Sequence, residues 1–562
     1  MTCPMDEAPE PKPKPVDNKP LPPAAGSVLI GTVAQKTEDP IVMRTCIAYE
    51  PGKVAPRYLG TIKVPRRVIE SIMLVLQEVE EEEETGHAGT QGTGGWGEGD
   101  GEGEPLIMRC RFMAPKSLDM KLYALLSLLV GSLAIGQISA AAGSHHLLCY
   151  YDGSSFVREG LSKLTLNDLD PALQYCTHLI YGYAGINPSS NKLVSTNEKL
   201  DLDLGSSLFR QVTSLKRKYP ALKVLLSVGG DKDIVDPENN KYLTLLESSN
   251  ARIPFINSAH SLVKTYGFDG LDLAWQFPKN KPKKVHGSIG KFWKGFKKIF
   301  SGDHIVDEKS EEHKEEFTAL VRELKNAFRP DGYLLGLSVL PNVNSSLFFD
   351  VPAVINNLDY VNLHAYDFQT PERNKEVADF PAPIYEANER NPELNVNYQV
   401  KYWVNNRAPA SKINVAIAAY GRAWKLTKDS GLTGLPPVAE TDGVAPAGLQ
   451  TQVDGLLSWP EVCAKLPNPA NQHLKGADGP LRKVGDPTKR FGSYAYRSAD
   501  DAGENGVWVG YEDPDTAGIK AEYVKREGLG GVALVDLSYD DFRGGCTGHD
   551  KFPILRTIKS KL

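Results

Sequence analysis

"GFDGLDLAWQF", residues 267–277, is a continuous apolar run of strand length that carries two carboxylates, Asp269 and Asp272. A run of this kind, bounded by Gly267 and Pro278 and apolar on both faces, belongs in a parallel sheet covered by helices. Seven further runs share its form: "HLLCYYDG" (146–153), "CTHLIYGYAGI" (176–186), "LKVLLSVGG" (222–230), "YLLGLSVLP" (333–341), "LDYVNLHAYDF" (358–368), "INVAIAAYGRAW" (413–424) and "GGVALVDLSYDD" (530–541). Amphipathic stretches separate most of them. In "EEHKEEFTALVRELKNAF" (311–328), Phe317, Leu320, Val321 and Leu324 recur on one helical face. Eight strand–helix units predict an α/β fold, a (β/α)8 TIM barrel. The spacing breaks only between the seventh and eighth runs. There, residues 425–507, rich in Gly, Pro and Tyr, predict a small α+β insertion domain, leaving 143–424 and 508–562 as the barrel.

The chain has 562 residues, 41% hydrophobic and 24% charged, with a formal net charge of −6. That balance supplies a large core and gives no global attraction to nucleic acid or anionic membrane. Residues 1–119 differ from the rest: a proline-rich run, the acidic "EVEEEEE" (78–84) and the glycine-rich "GTQGTGGWGEGDGEGE" predict disorder, with a short strand and helix near 60–77 as the exception. At Met120 begins "MKLYALLSLLVGSLAIGQISAAAGS", with a basic start, an apolar core and a small-residue end. This is the order of a secretory signal peptide, here 120–142. The competing reading is a signal anchor, at the lower edge of spanning length; the Ala-Ala-Ala-Gly-Ser ending favours cleavage. The expectation is a secreted, extracellular product with no membrane span, translation starting at Met120, and 1–119 an upstream extension of the gene model or an alternative start.

Seven cysteines divide the same way. Cys3, Cys46 and Cys110 precede the signal, and Cys149, Cys176, Cys463 and Cys546 follow it. An even number in a secreted chain predicts two disulfides, and four cysteines allow three pairings. The local one, Cys149–Cys176 with Cys463–Cys546, is favoured because the strand reading puts the first two at the starts of adjacent strands. None of the four lies in a CxxC, so a zinc site is a poor alternative to the disulfides; no cofactor or metal is expected. Asn344, in "NSS", is a candidate N-glycosylation site.

Functional groups of such a barrel sit where its strands end. Aromatics interleaved with carboxylates and an arginine suit a carbohydrate cleft, because sugars stack on rings and hydrogen-bond through hydroxyls. Tyr151, Trp275, Tyr366, Asp367, Tyr420 and Arg422 are therefore the candidate glycan contacts.

These motifs, in this order over about residues 145–560, resemble the glycoside hydrolase family 18 chitinases, and among them the imaginal disc growth factors. "KVLLSVGG" is similar to the family's third strand, "FDGLDLAWQF" to its fourth-strand DGxDxDxE motif, and "YVNLHAYDF", "AAYGRAW" and "GLGGVALVDLSYDDF" to strands six, seven and eight. The resemblance implies substrate-assisted chemistry: the substrate's N-acetyl oxygen attacks the anomeric carbon, a glutamic acid protonates the leaving oxygen, and an aspartate two residues earlier steers the acetamido group. Those positions hold Gln276 and Ala274. An amide delivers no proton near neutrality, so general acid catalysis, worth about 10²–10⁴-fold, is lost. Loss of the aspartate removes charge stabilisation as well. Asp269 and Asp272 remain, as structural acceptors in a degenerate site. The strand-eight tryptophan of the family corresponds to Val535 and its strand-six methionine to His364, which is expected as a hydrogen-bonded wall residue. The expectation is no enzyme activity.

After the altered motif comes a long cationic insertion resembling the loop that sets the growth-factor branch apart. In "KFWKGFKKIF" (291–300), Lys291, Lys294, Lys297 and Lys298 alternate with aromatics at helical spacing. They read as a contact for an anionic glycan, lipid or receptor, or as a packed amphipathic helix with its lysines in water. The acidic stretch 307–316 starts the next barrel helix. The resemblance implies a secreted, non-enzymatic growth factor for cell proliferation, polarisation and motility, acting on an unidentified cell-surface receptor. The alternative is a catalytically silent lectin that binds chitooligosaccharides in matrix or cuticle.

Overall fold

The structure, a computed structural model, describes residues 28–35, 41–49, 57–64, 145–233, 235, 240–280, 307–546 and 548–562. The chain divides into two compact units, 1–141 and 142–562. In the first, Val28–Gln35, Ile41–Tyr49 and Arg57–Val64 form an antiparallel sheet with Ile41–Tyr49 in the middle. These three segments are strands within a region expected to be mostly disordered. Each of the three segments is rich in β-branched and apolar residues, a local content that regional composition averages away. The signal segment and the four loop lysines, Lys291, Lys294, Lys297 and Lys298, lie outside the described residues.

The second unit is built on eight parallel strands: β1 (His146–Asp152), β2 (His178–Asn187), β3 (Lys223–Gly229), β4 (Gly270–Ala274), β5 (Leu334–Val339), β6 (Tyr360–Leu363), β7 (Ile413–Ala418) and β8 (Gly531–Val535). Each pairs with the next, and β8 pairs with β1, so the barrel closes and leaves no edge. The closure explains the continuous apolar runs. Every residue of β4, β7 and β8 is buried, one set inside the barrel and the alternate set beneath the helices. The helix Ser249–Tyr266 stops at Gly267, which takes the left-handed conformation (φ 75°) and donates its N–H to Val263, turning the chain into β4. The helix Ser310–Phe328 opens with Glu311 and Glu312 in its first turn and buries Phe317, Leu320, Val321 and Leu324 completely, as its periodicity predicts.

The insertion is wider than its predicted bounds of 425–507. Its two central strands, Tyr420–Leu426 and Gly506–Tyr511, pair antiparallel, and Thr441–Val444, Leu456–Ser458, Ser493–Arg497 and Arg482–Val484 complete the sheet. "INVAIAAYGRAW" is therefore two strands. The break falls at Ala419, whose N–H goes to Val535 of β8 and whose carbonyl receives Trp459 N–H. Tyr420 and Arg422 consequently belong to the insertion sheet. Cys149 pairs with Cys176 and Cys463 with Cys546, Cα–Cα 5.9 and 6.0 Å, the local pairing. Among the described residues no helix is long and apolar enough to cross a membrane.

Candidate functional site

Strand alternation decides what β4 presents to the barrel interior. Asp272 points inward, fully buried, and accepts hydrogen bonds from Ser227 Oγ of β3 (2.7 Å), Ser338 Oγ of β5 (2.9 Å) and Tyr150 Oη of β1 (3.2 Å). Asn362 of β6 donates to Tyr150 Oη (2.9 Å), and Asn414 of β7 donates to Asn362 Oδ1 (2.9 Å). One polar layer thus crosses the apolar interior. Burial pushes the Asp272 carboxyl up to about 6, against the downward pull of its three hydroxyl donors. Asp269 does different work. Just ahead of β4, it accepts Val224 N–H (2.7 Å) and pairs with Lys216 (3.1 Å), which fixes the strand's entry end, opposite the mouth.

Two residues beyond Asp272, Ala274 is buried and its carbonyl accepts Gly230 N–H (2.9 Å). The approach needs glycine at 229: a Cβ there would lie 2.3 Å from the Ala274 oxygen. Gln276 spends both amide protons on carbonyls, those of Gly230 (2.6 Å) and Asp233 (2.7 Å). A carboxylate in this place would face two carbonyl lone pairs with nothing to donate, so the environment is made for an amide. Position 276 is a clamp between the ends of β3 and β4.

On the other side of the mouth, Asp367 is bound by Arg422 through Nε (2.9 Å) and Nη2, and by Tyr420 Oη (2.8 Å). The bidentate pair ties the segment after β6 to the insertion sheet. Asp367 adopts positive φ (54°), and Asn342 Nδ2 holds its carbonyl (2.8 Å). Tyr366 Oη meets His364 Nδ1 at 2.7 Å. Burial holds the His364 pKa down to about 4, so the ring is neutral at physiological pH and is no proton donor. Val535 packs with Tyr366, Ala418 and Tyr420 in the apolar interior. The cavity lined by Tyr366, Asp367, Tyr420 and Arg422 measures about 20 Å³, which is room for a water molecule.

Two expected glycan contacts are corrected. Tyr151 is fully buried, its Oη donating to the Leu164 carbonyl (3.1 Å) and its ring edge-on to Tyr181. Trp275 is buried between Tyr242, Phe255 and Phe317. Both occupy the layer beneath the helices, because their strand parity is opposite to that of Asp152 and Asp272. Parity counted from those carboxylates would have selected Tyr150. It would also have found the lone polar residues Ser227, Ser338, Asn362 and Asn414, each set within an apolar run.

A model of the glycosyl hydrolases family 18 matches residues 146–540. The chain belongs to this family. Its relatives include the chitinase-like protein Idgf4 of Drosophila melanogaster, 92% identical over 443 residues, 79% of this chain and 100% of the relative. Imaginal disk growth factor 6 of the same fly is 65% identical over 449 residues, 79% of this chain and 99% of the relative. Among solved structures, the Ostrinia furnacalis Group II chitinase catalytic domain 2 superimposes with a TM-score of 0.62 at 30% identity, covering 74% of this chain and 96% of that one. Human YKL-39, described as a pseudo-chitinase with retained chitooligosaccharide binding, superimposes at 0.57 and 25% identity, covering 74% and 99%. The chain is therefore a family 18 barrel of the imaginal disc growth factor type.

Seen as a family 18 mouth, the site has two more carboxylates than its degenerate motif suggests. Asp152, at the end of β1, accepts Ser154 N–H (2.9 Å) and pairs with Lys232 (3.2 Å) and Arg158 (3.4 Å). Asp536 follows β8; burial, then the neighbouring Asp152 charge, pushes it up to about 6. Its Oδ1 accepts Ser538 N–H (2.6 Å). Asn344 caps its own turn, Oδ1 accepting Ser346 N–H (2.9 Å) and Oγ–H (2.7 Å).

Proposed function

We propose that this protein is a secreted, non-enzymatic growth factor that promotes cell proliferation, polarisation and motility through a cell-surface receptor. The observation that carries the non-enzymatic part is the Gln276 clamp. The position of the family's acid holds an amide whose two protons are committed to backbone carbonyls, and Ala274 offers no carboxylate to steer an acetamido group. The names of the two fly relatives support the growth-factor part. Secretion draws support from the two disulfides, and glycosylation is assigned to Asn344. The match to the whole 92%-identical relative spans 443 residues, the number from Met120 to Leu562, which supports translation from Met120.

A catalytically silent lectin is the second reading. It is favoured by the retained chitooligosaccharide binding of the pseudo-chitinase neighbour, and Tyr366, Asp367, Tyr420 and Arg422 are its contacts. The locked Asp367 pair and the small cavity beside it weigh against it. Binding of the labelled protein to cultured insect cells separates the two. Saturable binding that excess chitooligosaccharide leaves in place is the growth-factor outcome; displacement by the sugar is the lectin outcome.

A further inference from the structure

A groove of about 380 Å³, within the range of small-ligand sites, runs along the helix Val396–Asn405. The helix packs inward through Val396, Val400 and Trp403 and lines the groove with its other side. Tyr398 and Tyr402, one turn apart, supply two rings on that side. Tyr398 is 38% exposed, whereas the other described phenylalanine, tyrosine and tryptophan side chains are half-buried or buried. Its hydroxyl donates to Glu393 (3.1 Å), which fixes the ring in place. An exposed, immobilised ring beside a cavity is a stacking platform whose entropy cost is met before a ligand arrives.

The polar groups around these rings carry unspent hydrogen-bonding capacity. Asn397 uses Oδ1 to accept from Tyr523 (3.1 Å), which leaves its Nδ2 protons. The side chains of Glu386, Lys401 and Asn405 have no protein partner among the described residues. One carboxylate and one ammonium cancel, so the groove offers no net charge to a polyanion. Rings for the apolar faces of pyranoses, and amides for hydroxyl and acetamido groups, match an uncharged sugar chain.

We propose that this groove binds a neutral oligosaccharide, at a site separate from the barrel mouth. The site does not depend on the growth-factor reading and uses none of the residues at the mouth. The test is hydrogen–deuterium exchange of the full protein with millimolar chitotetraose and, separately, maltotetraose. Protection of 386–406 by either sugar is expected, with 364–382 unchanged. Tyr398→Ala should weaken that protection about tenfold in apparent affinity while leaving the melting temperature unchanged; Tyr398→Phe, which keeps the ring but loses the bond to Glu393, should weaken it by less. The proposal is overturned if neither sugar protects 386–406, if protection survives Tyr398→Ala, or if protection falls on 364–382 instead.

Discussion

The two sides of the barrel mouth commit their polar side chains in different ways. At the end of β4, Ala274 offers no carboxylate and Gln276 bonds backbone carbonyls. Beyond β6 and in the insertion, Asp367, Tyr420 and Arg422 spend their hydrogen bonds on one another. Gln276 on one side, and Asp367, Tyr420 and Arg422 on the other, are all engaged in holding the frame. Residue identity alone therefore overstates the binding capacity of the second side.

The largest expected effect tests whether the β4 segment is structural. Trp275→Ala should lose about 4 kcal/mol of stability, because a fully buried ring between three aromatics leaves a cavity; urea denaturation measures it. If Trp275 contacted glycan instead, stability would hold and sugar retention would fall. Next, Arg422→Ala should cost about 3 kcal/mol by the same measurement, since it leaves the buried Asp367 carboxylate with one hydroxyl donor. A near-neutral result would show that Asp367 is free to receive a ligand.

Gln276→Glu is expected to cost about 1–2 kcal/mol at pH 7, as two carbonyl acceptors lose their donors, with partial recovery at acid pH where the carboxyl regains a proton. Combined with Ala274→Asp, it should leave hydrolysis of a chitooligosaccharide reporter at the level of a boiled control. Turnover above that control would show that the two sides differ only by two residues.

The smallest effect concerns Asp272, whose contacts are Ser227, Ser338 and Tyr150. Its carboxyl is raised from 3.8 to about 6, so the folded state holds the proton more tightly than the unfolded chain. The contribution is most favourable below pH 4 and declines as pH rises through 6. Asp272→Asn should flatten the fall in melting temperature across that window; an unchanged profile would place the titration elsewhere.

The barrel was legible because closed parallel strands bury both faces, and eight apolar runs at helix-length spacing admit few other architectures. Ala274 and Gln276 drew notice because they lie within a contiguous motif. Tyr151 and Trp275 were misread for one reason: aromatic residues at a strand end attract notice, while facing is set by parity, which a continuous apolar run conceals. The Asp367–Arg422 lock was not legible, since the partners stand 55 residues apart and meet only because the chain breaks at Ala419 and crosses into a second sheet. Neither was the groove beside Tyr398, because an amphipathic helix reads the same whether its outer side faces bulk water or a cavity.

The insertion's attachment has a mechanical consequence. It leaves β7 after a single residue, is stitched to the segment beyond β6 by Arg422, and is bonded covalently through Cys463 to Cys546, downstream of β8. A pull on the insertion is therefore shared among three anchorages around the rim, with no slack linker to absorb it. A partner that grips the insertion therefore loads β7, the segment after β6 and the segment after β8 together.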